Sequence, residues 1–113
     1  MKRLEDNIQI ACVKWFKYAY PAYILHHSPN GGKRTAFEAE QFKRMGTIAG
    51  FPDLFLMCSS GFYNGLFVEI KTEKGRQTES QKWFEKKAFD FNYCYKVVRS
   101  LDEFIEVITN YLK

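Results

Sequence analysis

The sequence of 113 residues predicts an α/β fold in which a small mixed β-sheet is flanked by helices. Apolar residues make up 46% of the chain and aromatic residues 18%, which is enough to fill a core and excludes a disordered chain. Short apolar segments of strand length alternate with longer segments whose apolar residues recur every three or four positions. This alternation favours helices packed on a sheet, and the length fits a single domain over 1–113.

The N-terminal segments predict a helix, a short strand and a second helix. Apolar residues recur at helical spacing over 4–19, and a proline shortly afterwards stops that helix. A short apolar segment at 23–25 is the first strand candidate. Thr35 and Glu38 form a capping-box pattern, which predicts a helix from there to about residue 45.

The remaining segments predict a β-hairpin, a helix, a strand and a last helix. Large apolar residues fill 53–58 and 66–71, with turn-forming residues between them. Capping boxes at 78–81 and 100–103 open the two helices, and a strand is expected over 93–98 between them. Because a helix connects strand 66–71 to strand 93–98, these two strands are expected to be parallel with a right-handed crossover.

Composition narrows the class of function only loosely. Lys and Arg total 17 against 13 acidic residues, and the net charge of +4 is compatible with a polyanionic partner. Cys12, Cys58 and Cys94 lie far apart among apolar neighbours and lack zinc-ligand spacing, which predicts buried, reduced thiols. No apolar run approaches the about 20 residues of a membrane-spanning helix, and no signal peptide is visible. An intracellular, cytoplasmic protein without membrane contact is expected.

Charged residues at the ends of the predicted hairpin are the first candidates for chemistry. Side chains alternate along strand 66–71, so Glu69 and Lys71 face away from its apolar side. If the hairpin is centred near Phe62, Asp53 lies opposite position 71, within a residue or two. Two carboxylates and an ammonium then meet at one sheet end, where a hard cation such as Mg2+ finds oxygen ligands. The alternative is a half-exposed strand with a simple Glu–Lys pair, Asp53 being a turn residue.

Two more polar residues border this end of the hairpin. Glu5 lies beside the apolar stripe of the first helix, and it is either a third acid of the site or a solvated first-turn acid favoured by the helix dipole. Gln81 shares a helix face with apolar residues, so its amide points toward the sheet. Capping of Thr78 is the alternative role of this amide.

Five short segments, in order along the chain, carry a resemblance to a known family. They are Glu5, Pro-Asn-Gly at 29–31, Gly-Phe-Pro-Asp at 50–53, Glu-Ile-Lys at 69–71 and Thr-Glu-Ser-Gln at 78–81. The pattern resembles the PD-(D/E)XK nucleases and, within them, the VRR-NUC branch of virus-type replication-repair nucleases. The match extends over nearly the whole chain, and no motif position departs from the pattern.

The resemblance implies a restriction-endonuclease-like core and a metal-dependent endonuclease that hydrolyses phosphodiester bonds in DNA. Mg2+ or Mn2+ is the implied cofactor. Small members of the branch are similar to four-way (Holliday) junction resolvases, which implies branched DNA as substrate and a homodimer with two active sites. No phosphate-binding P-loop is visible, so a nucleotide cofactor is not expected.

The same resemblance implies roles for individual residues. The implied metal ligands are Asp53, Glu69, the carbonyl of Ile70 and, through water or to a second ion, Glu5. Lys71 would orient the attacking water or stabilise the pentacovalent state, and Gln81 would hold Lys71 or that water. The expected contacts to DNA phosphates are Asn30, Gly31, Lys33, Arg34, Lys74 and Arg76. His26 and His27 are expected to be packed or surface residues rather than ligands.

Three other functions remain open from the sequence. One is a generic structural or dimerisation domain, for which the aromatic content is the only support. A restriction-like or nicking nuclease acting on duplex or flap DNA would use the same fold and the same residues. A non-enzymatic DNA-binding module would keep the scaffold without hydrolysis, although it would have no need of Asp53, Glu69 and Lys71 together.

Overall fold

The computed structural model describes residues 2–29 and 34–113. Within these residues the helices are α1 (Lys2–Ala19), α2 (Ala36–Arg44), α3 (Glu79–Asp90) and α4 (Leu101–Tyr111). The strands are β1 (Leu25–His27), β2 (Leu54–Leu56), β3 (Leu66–Ile70) and β4 (Cys94–Val98). Their order along the chain is the predicted one, which confirms a small mixed α/β fold.

The four strands form one sheet in the order β1-β2-β3-β4. The pairs β1–β2 and β2–β3 are antiparallel, whereas β3 and β4 are parallel. Helix α3 connects the two parallel strands, because a parallel pair needs a crossover long enough to return the chain to the same edge. The predicted hairpin and the predicted parallel pair are both confirmed.

Each face of the sheet is covered by helices and has its own core. Helices α1 and α4 cover one face, where Phe16 and Phe104 pack against Leu54, Val68 and Ile70. Helix α3 covers the other face with a smaller core of Phe67, Ala88 and Tyr95, surrounded by further aromatic rings. Strand β3 lies between the two cores and is buried on both sides. The half-exposed strand that the sequence left open is therefore wrong.

Strand β1 begins two residues later than predicted. The backbone N–H of Tyr23 donates to the carbonyl of Tyr20 at 3.1 Å and closes a turn, and the two rings pack edge to face with centroids 5.8 Å apart. The chain becomes extended only at Leu25, which pairs with Leu56. Packing of the Tyr20 and Tyr23 rings, which lie on either side of Pro21, thus keeps this segment in a turn, and the strand begins closer to the two histidines.

Local capping sets the helix starts as predicted. Thr35 and Thr78 each accept a hydrogen bond from the third helical residue, and the side chains of Glu38 and Gln81 return one to the capping backbone N–H. At α4, the Ser100 side chain caps the helix in the same way. The Glu103 carboxylate, however, accepts from the backbone N–H of Arg99, the residue before the cap, at 2.8 Å.

The three cysteines are free, as predicted, with Cys12 and Cys94 buried and Cys58 half-buried. Burial raises the pKa of the Cys12 thiol to about 12, which keeps it protonated and unreactive. None of the helices in the described part of the chain is long and apolar enough to cross a membrane.

Candidate active site

The hairpin of β2 and β3 sets the positions of two carboxylates. Its register pairs Leu54 with Val68, so Asp53 falls opposite Glu69, two residues from the predicted partner at position 71. The Asp53 carboxylate Oδ2 accepts a hydrogen bond of 2.8 Å from the backbone N–H of Ile70. This bond bridges the two strands and directs the Asp53 side chain toward the end of β3.

Glu69 is a buried carboxylate with one satisfied oxygen. Its side chain is 3% exposed, and Oε2 accepts a hydrogen bond of 2.8 Å from the Gln81 amide. Oε1 is buried and has no hydrogen-bond partner among residues 2–29 and 34–113. Buried carboxylate oxygens are nearly always paired in folded proteins, so this unpaired atom marks a place where a further ligand fits.

The pKa of Glu69 reflects its burial and the negative charge beside it. This pKa is raised from 4.5 to about 8, and burial is the largest cause. The charge of Asp53, and the hydrogen bond that protonated Glu69 can share with Asp53, act in the same direction, whereas the positive charge of Lys71 lowers the pKa. Glu5 also raises the pKa of Glu69, with the smallest influence of these groups. One ammonium therefore does not offset the burial and crowding of the carboxylates.

The donor set fits a hard divalent cation. Two carboxylates in close approach and a buried oxygen without a partner are what such an ion requires, and Mg2+ and Mn2+ prefer oxygen ligands. Asp53 and Glu69, with the backbone carbonyl of Ile70, are the residues that would hold it. Among residues 2–29 and 34–113, no three His, Cys, Asp or Glu side chains come together in a metal-binding group. Glu5, half-buried on α1, consequently stays outside the close pair.

Lys71 continues β3 beyond its last strand residue. Its backbone N–H donates to the carbonyl of Val98 at 3.0 Å, which extends the parallel ladder by one step. The side chain is only 8% exposed although it carries a charge. The turn at 72–75 lies beside the aliphatic stem, since a methyl group on Gly75 would be in ordinary van der Waals contact with the Lys71 Cδ, at 3.4 Å.

Gln81 fills both of its predicted roles at once. Its Oε1 accepts from the backbone N–H of Thr78 at 2.9 Å, while its Nε2 donates to Glu69 at 2.8 Å. The capping box therefore fixes the amide that orients the buried carboxylate. The amide is bonded to Glu69 and not to Lys71, which was one of its two predicted partners; the other, the attacking water, stays a prediction.

Gly50 brings two of the sequence motifs into contact. Its backbone has φ +84°, and a Cβ there would lie 2.5 Å from the backbone of Ser80. This close approach is possible only for glycine. It seats the turn before Asp53 on the first residues of α3, so that the strand bearing Asp53 and the helix bearing Gln81 are held together.

The predicted DNA-contacting residues fall into three groups. Asn30, Gly31 and Lys33 lie outside the described residues. The guanidinium of Arg34 lies over the ring of Phe42 at 4.1 Å from its centroid, which anchors it on α2. Lys74 and Arg76 are exposed, on and just after the turn that covers Lys71.

Three further polar residues on the α3 side escaped the sequence interpretation. Gln77 donates to the carboxylate of Glu85 at 3.0 Å and to the hydroxyl of Tyr95 at 3.3 Å. Burial raises the pKa of Tyr95, and the charges of Glu69, Glu85 and Asp53 raise it further, so this hydroxyl stays protonated beside the site. The signal was the parallel pairing of β3 and β4, which puts Tyr95 on the same sheet face as Glu69.

His27 is an exposed residue, as predicted, but it touches the site. Its Nδ1 lies 2.9 Å from the carbonyl oxygen of Asp53. Because a carbonyl can only accept, Nδ1 carries the proton in this contact. The backbone N–H of Ser28 donates to the same carbonyl at 3.1 Å, so β1 holds the residue that bears the first carboxylate.

Comparison with known proteins gives a family. No family model matches the chain, and no curated protein matches it either. Among solved structures, a VRR_NUC domain protein is 34% identical and superposes with a TM-score of 0.80, with 96% of this chain and 87% of that chain covered. Identity at this level over nearly the full length, together with the shared fold, shows common ancestry. The chain belongs to the VRR-NUC family, and its fold is that of the PD-(D/E)XK nucleases.

Proposed function

We propose that this protein is a metal-dependent, structure-selective endonuclease that hydrolyses phosphodiester bonds in DNA. The observation that carries the proposal is the buried, unpaired oxygen of Glu69, with Asp53 and Lys71 acting on the same carboxyl. A binding protein would gain nothing from such an arrangement, because burying a carboxylate without a partner destabilises the fold. A hydrolase that holds a divalent cation does gain from it.

Mg2+ or Mn2+ would be held by Asp53, Glu69 and the Ile70 carbonyl. Such an ion lowers the pKa of a bound water and offsets the charge that builds on the phosphate. The chain itself prepares the ligands. The Ile70 N–H fixes one oxygen of Asp53, and Gln81 fixes one oxygen of Glu69 and leaves its buried Oε1 for binding.

Lys71 is the proposed electrostatic catalyst. Its ammonium is close enough to lower the pKa of Glu69, and it is nearly excluded from water. A cation placed where charge builds in the transition state is most effective in such a dry site. Lys71 either orients the attacking water or stabilises the pentacovalent phosphate. Glu5 acts at longer range, through a water or a second ion.

DNA is expected to lie across this corner of the sheet. Lys74 and Arg76 project into solvent beside Lys71, and the chain carries a net charge of +4. Both residues are suited to contacts with phosphates, which bring affinity without reading bases. Together with Arg34 and with Asn30, Gly31 and Lys33, they are the proposed DNA-binding residues.

The proposed substrate is a four-way junction, and the proposed active form is a homodimer. Helix α2 supports the second point, because it has no buried residue. Its apolar face is instead exposed, with Phe37 at 73% and the C-cap residue Met45 at 77%. A nine-residue helix is marginal without tertiary contacts, so an uncovered apolar face favours a partner. Acidic residues lie in its first half and basic ones in its last turn, so an antiparallel second copy would be complementary in charge.

One assay tests the nuclease proposal directly. Purified protein is incubated with labelled four-way junction, flap and plain duplex DNA, with Mg2+, with Mn2+ and with a chelator. We expect cleavage of the junction in the presence of either metal and none with the chelator. Preferred cutting of flap or duplex would favour the restriction-like or nicking alternative. If the protein binds DNA but cleaves none of the substrates with either metal, the nuclease proposal is contradicted and the DNA-binding module remains.

The homodimer is tested by light scattering on the same preparation. We expect the mass of two chains for the wild type and of one chain for Met45→Glu. Met57→Glu is the matched control, because Met57 is also exposed, at 59%, but follows β2 and belongs neither to α2 nor to its cap. A wild-type protein that stays monomeric with DNA bound would contradict the homodimer.

A further inference from the structure

The turn after Lys71 is fastened to the end of β4 by one guanidinium. Residues 72–75 form a β-turn in which the N–H of Gly75 donates to the carbonyl of Thr72 at 3.1 Å. Arg99 follows β4 directly, and its Nη1 donates to the carbonyls of Thr72 and Gly75, both at 2.7 Å, and of Glu73 at 3.3 Å. Three carbonyls of a single turn therefore converge on one nitrogen.

Such a convergence depends on a cation. Carbonyl oxygens that point at one place repel each other through their partial negative charges, and a charged donor both neutralises them and bonds them more strongly than a neutral one. Arg99 is half-buried, and its own backbone N–H donates to the carboxylate of Glu103 at 2.8 Å. The anchor is thus held at the junction of β4 and α4, outside the turn that it fastens.

The 72–75 turn lies beside the Lys71 side chain. A Cβ on Gly75 would touch the Lys71 Cδ at 3.4 Å, an ordinary van der Waals distance, and would crowd the Thr72 Oγ1 at 3.2 Å, so the turn lies directly beside the lysine stem. With the turn beside it, Lys71 is 8% exposed, although the middle two residues of the turn, Glu73 and Lys74, face solvent. The place of the ammonium depends on where the turn sits.

We propose that Arg99 is a positioning residue for Lys71, acting through the 72–75 turn. The guanidinium fixes the turn, the turn fixes the lysine stem, and the stem aims the ammonium at the carboxylate pair. A direct role of Arg99 on DNA is disfavoured, because its Nη1 points inward to three carbonyls. The effect on catalysis rests on the nuclease function proposed above, whereas the effect on the position of Lys71 does not.

The first measurement needs neither DNA nor metal. An amine-reactive reagent modifies lysines according to their exposure, and peptide mass spectrometry reports the rate at Lys71 with exposed Lys74 as the internal reference. We expect Arg99→Met to raise the relative rate at Lys71 several-fold. Lys96→Met removes an exposed cation from β4, the strand that Arg99 follows, and should leave the relative rate at Lys71 unchanged. A folded Arg99→Met protein with wild-type reactivity at Lys71 would overturn the proposal.

The second measurement separates positioning from general stability. At saturating protein in a single turnover, Arg99→Met should cut junction DNA roughly 10- to 100-fold more slowly, the effect of a reactive group displaced by about 1 Å. The dissociation constant for DNA should change far less. Arg99→Lys keeps a cation with three donors and should recover part of the rate and of the Lys71 protection. If Arg99→Met and Arg99→Lys lose the same fraction of the cleavage rate, and the melting temperature falls in parallel, Arg99 is a purely structural residue and the proposal is overturned.

Gly75→Ala provides a variant in which Arg99 is intact, should Arg99→Met fail to fold. Its new methyl group crowds the Thr72 Oγ1 at 3.2 Å and comes into van der Waals contact with the Lys71 Cδ at 3.4 Å. We expect slower cleavage and an altered reactivity of Lys71, and wild-type values for both would contradict the link from turn to lysine. If the wild type cuts no DNA while the reactivity of Lys71 still responds to Arg99, the nuclease proposal fails and the positional inference stands.

Discussion

The two faces of strand β3 are both buried, but they have opposite effects on stability. On one face Leu66, Val68 and Ile70 are at most 1% exposed and fill the larger core. On the other face Phe67 packs among aromatic rings, and the next residue along, Glu69, is a carboxyl that is 3% exposed. Burial of the first set stabilises the fold, whereas burial of the carboxylate opposes it. The strand thus combines a stabilising face with a face that gives up stability for a site.

Glu69→Gln on the polar face should have the largest effect. The change keeps the shape of the side chain but removes its charge, so the proposed metal ligand is lost. We expect cleavage of junction DNA to fall by roughly 1,000-fold while DNA binding remains. Lys71→Ala should do the same. Rate and dissociation constant are measured separately, and a wild-type rate in either variant with Mg2+ present would refute the assigned roles.

Val68→Ala, on the apolar face, is the control and should give the opposite result, namely lower stability with an unchanged cleavage rate. Val68 is completely buried. Removing its two methyl groups should lower the free energy of unfolding by about 2 kcal/mol. The folded protein should still cut at the wild-type rate, since Val68 touches the larger core and not the site. Denaturant titration and cleavage rates together test whether the two faces are separable.

Gly50→Ala should break the contact that joins the two motif segments. At this position an alanine meets both a left-handed backbone and the Ser80 backbone at 2.5 Å. We expect a loss of about 3 kcal/mol of stability and slower cleavage. Gly46→Ala is the matched control, because Gly46 has φ +110° but nothing within 4 Å of an added Cβ. Equal losses in the two variants would mean that backbone conformation alone, and not the contact with α3, requires Gly50.

The polar face should also make stability depend on pH. The folded-state pKa of Glu69 is about 8 against an ordinary value of 4.5. The folded protein therefore holds this proton more tightly than the unfolded chain does. The resulting stabilisation is complete below pH 4.5 and is lost as the pH rises through 8.

The measurement is a series of unfolding curves without metal over this range, for the wild type and for Glu69→Gln. The variant should lack most of the decline and be the more stable protein at pH 8. Mg2+ should restore stability to the wild type at pH 8 and leave the variant unchanged, because a ligand stabilises only the form that binds it. A wild type whose stability is independent of pH would contradict the buried, unpaired carboxyl.

The sequence predicted these two faces unequally, for a physical reason. Patterns that are local in the chain were sufficient for the helices, since a capping box such as Thr78 with Gln81 encodes its own start. Alternation along 66–71 was sufficient to separate the apolar face of β3 from Glu69. Burial of both faces was not predictable in this way, because it arises from α3 packing over the sheet.

Contacts between distant segments account for what the sequence analysis missed. Arg99 meets the 72–75 turn only because β3 and β4 are parallel and in register, and no short pattern encodes that meeting. Tyr95 and Gln77 join the site through the same register. The displacement of β1 came from ring packing between Tyr20 and Tyr23, which periodicity does not describe.

The smallest predicted effects lie outside both faces, on the exposed turn. Lys74→Ala and Arg76→Ala should each weaken DNA binding and reduce the salt dependence, the slope of log K against log salt, by about one, since each removes one phosphate contact. The single-turnover rate at saturating protein should stay near that of the wild type, because neither side chain belongs to the carboxylate corner. Lys86→Ala, on the exposed side of α3, is the control and should change neither slope nor rate. A fall in rate at saturation for Lys74→Ala would instead show that the turn serves the chemistry through its surface charge as well as through its hold on Lys71.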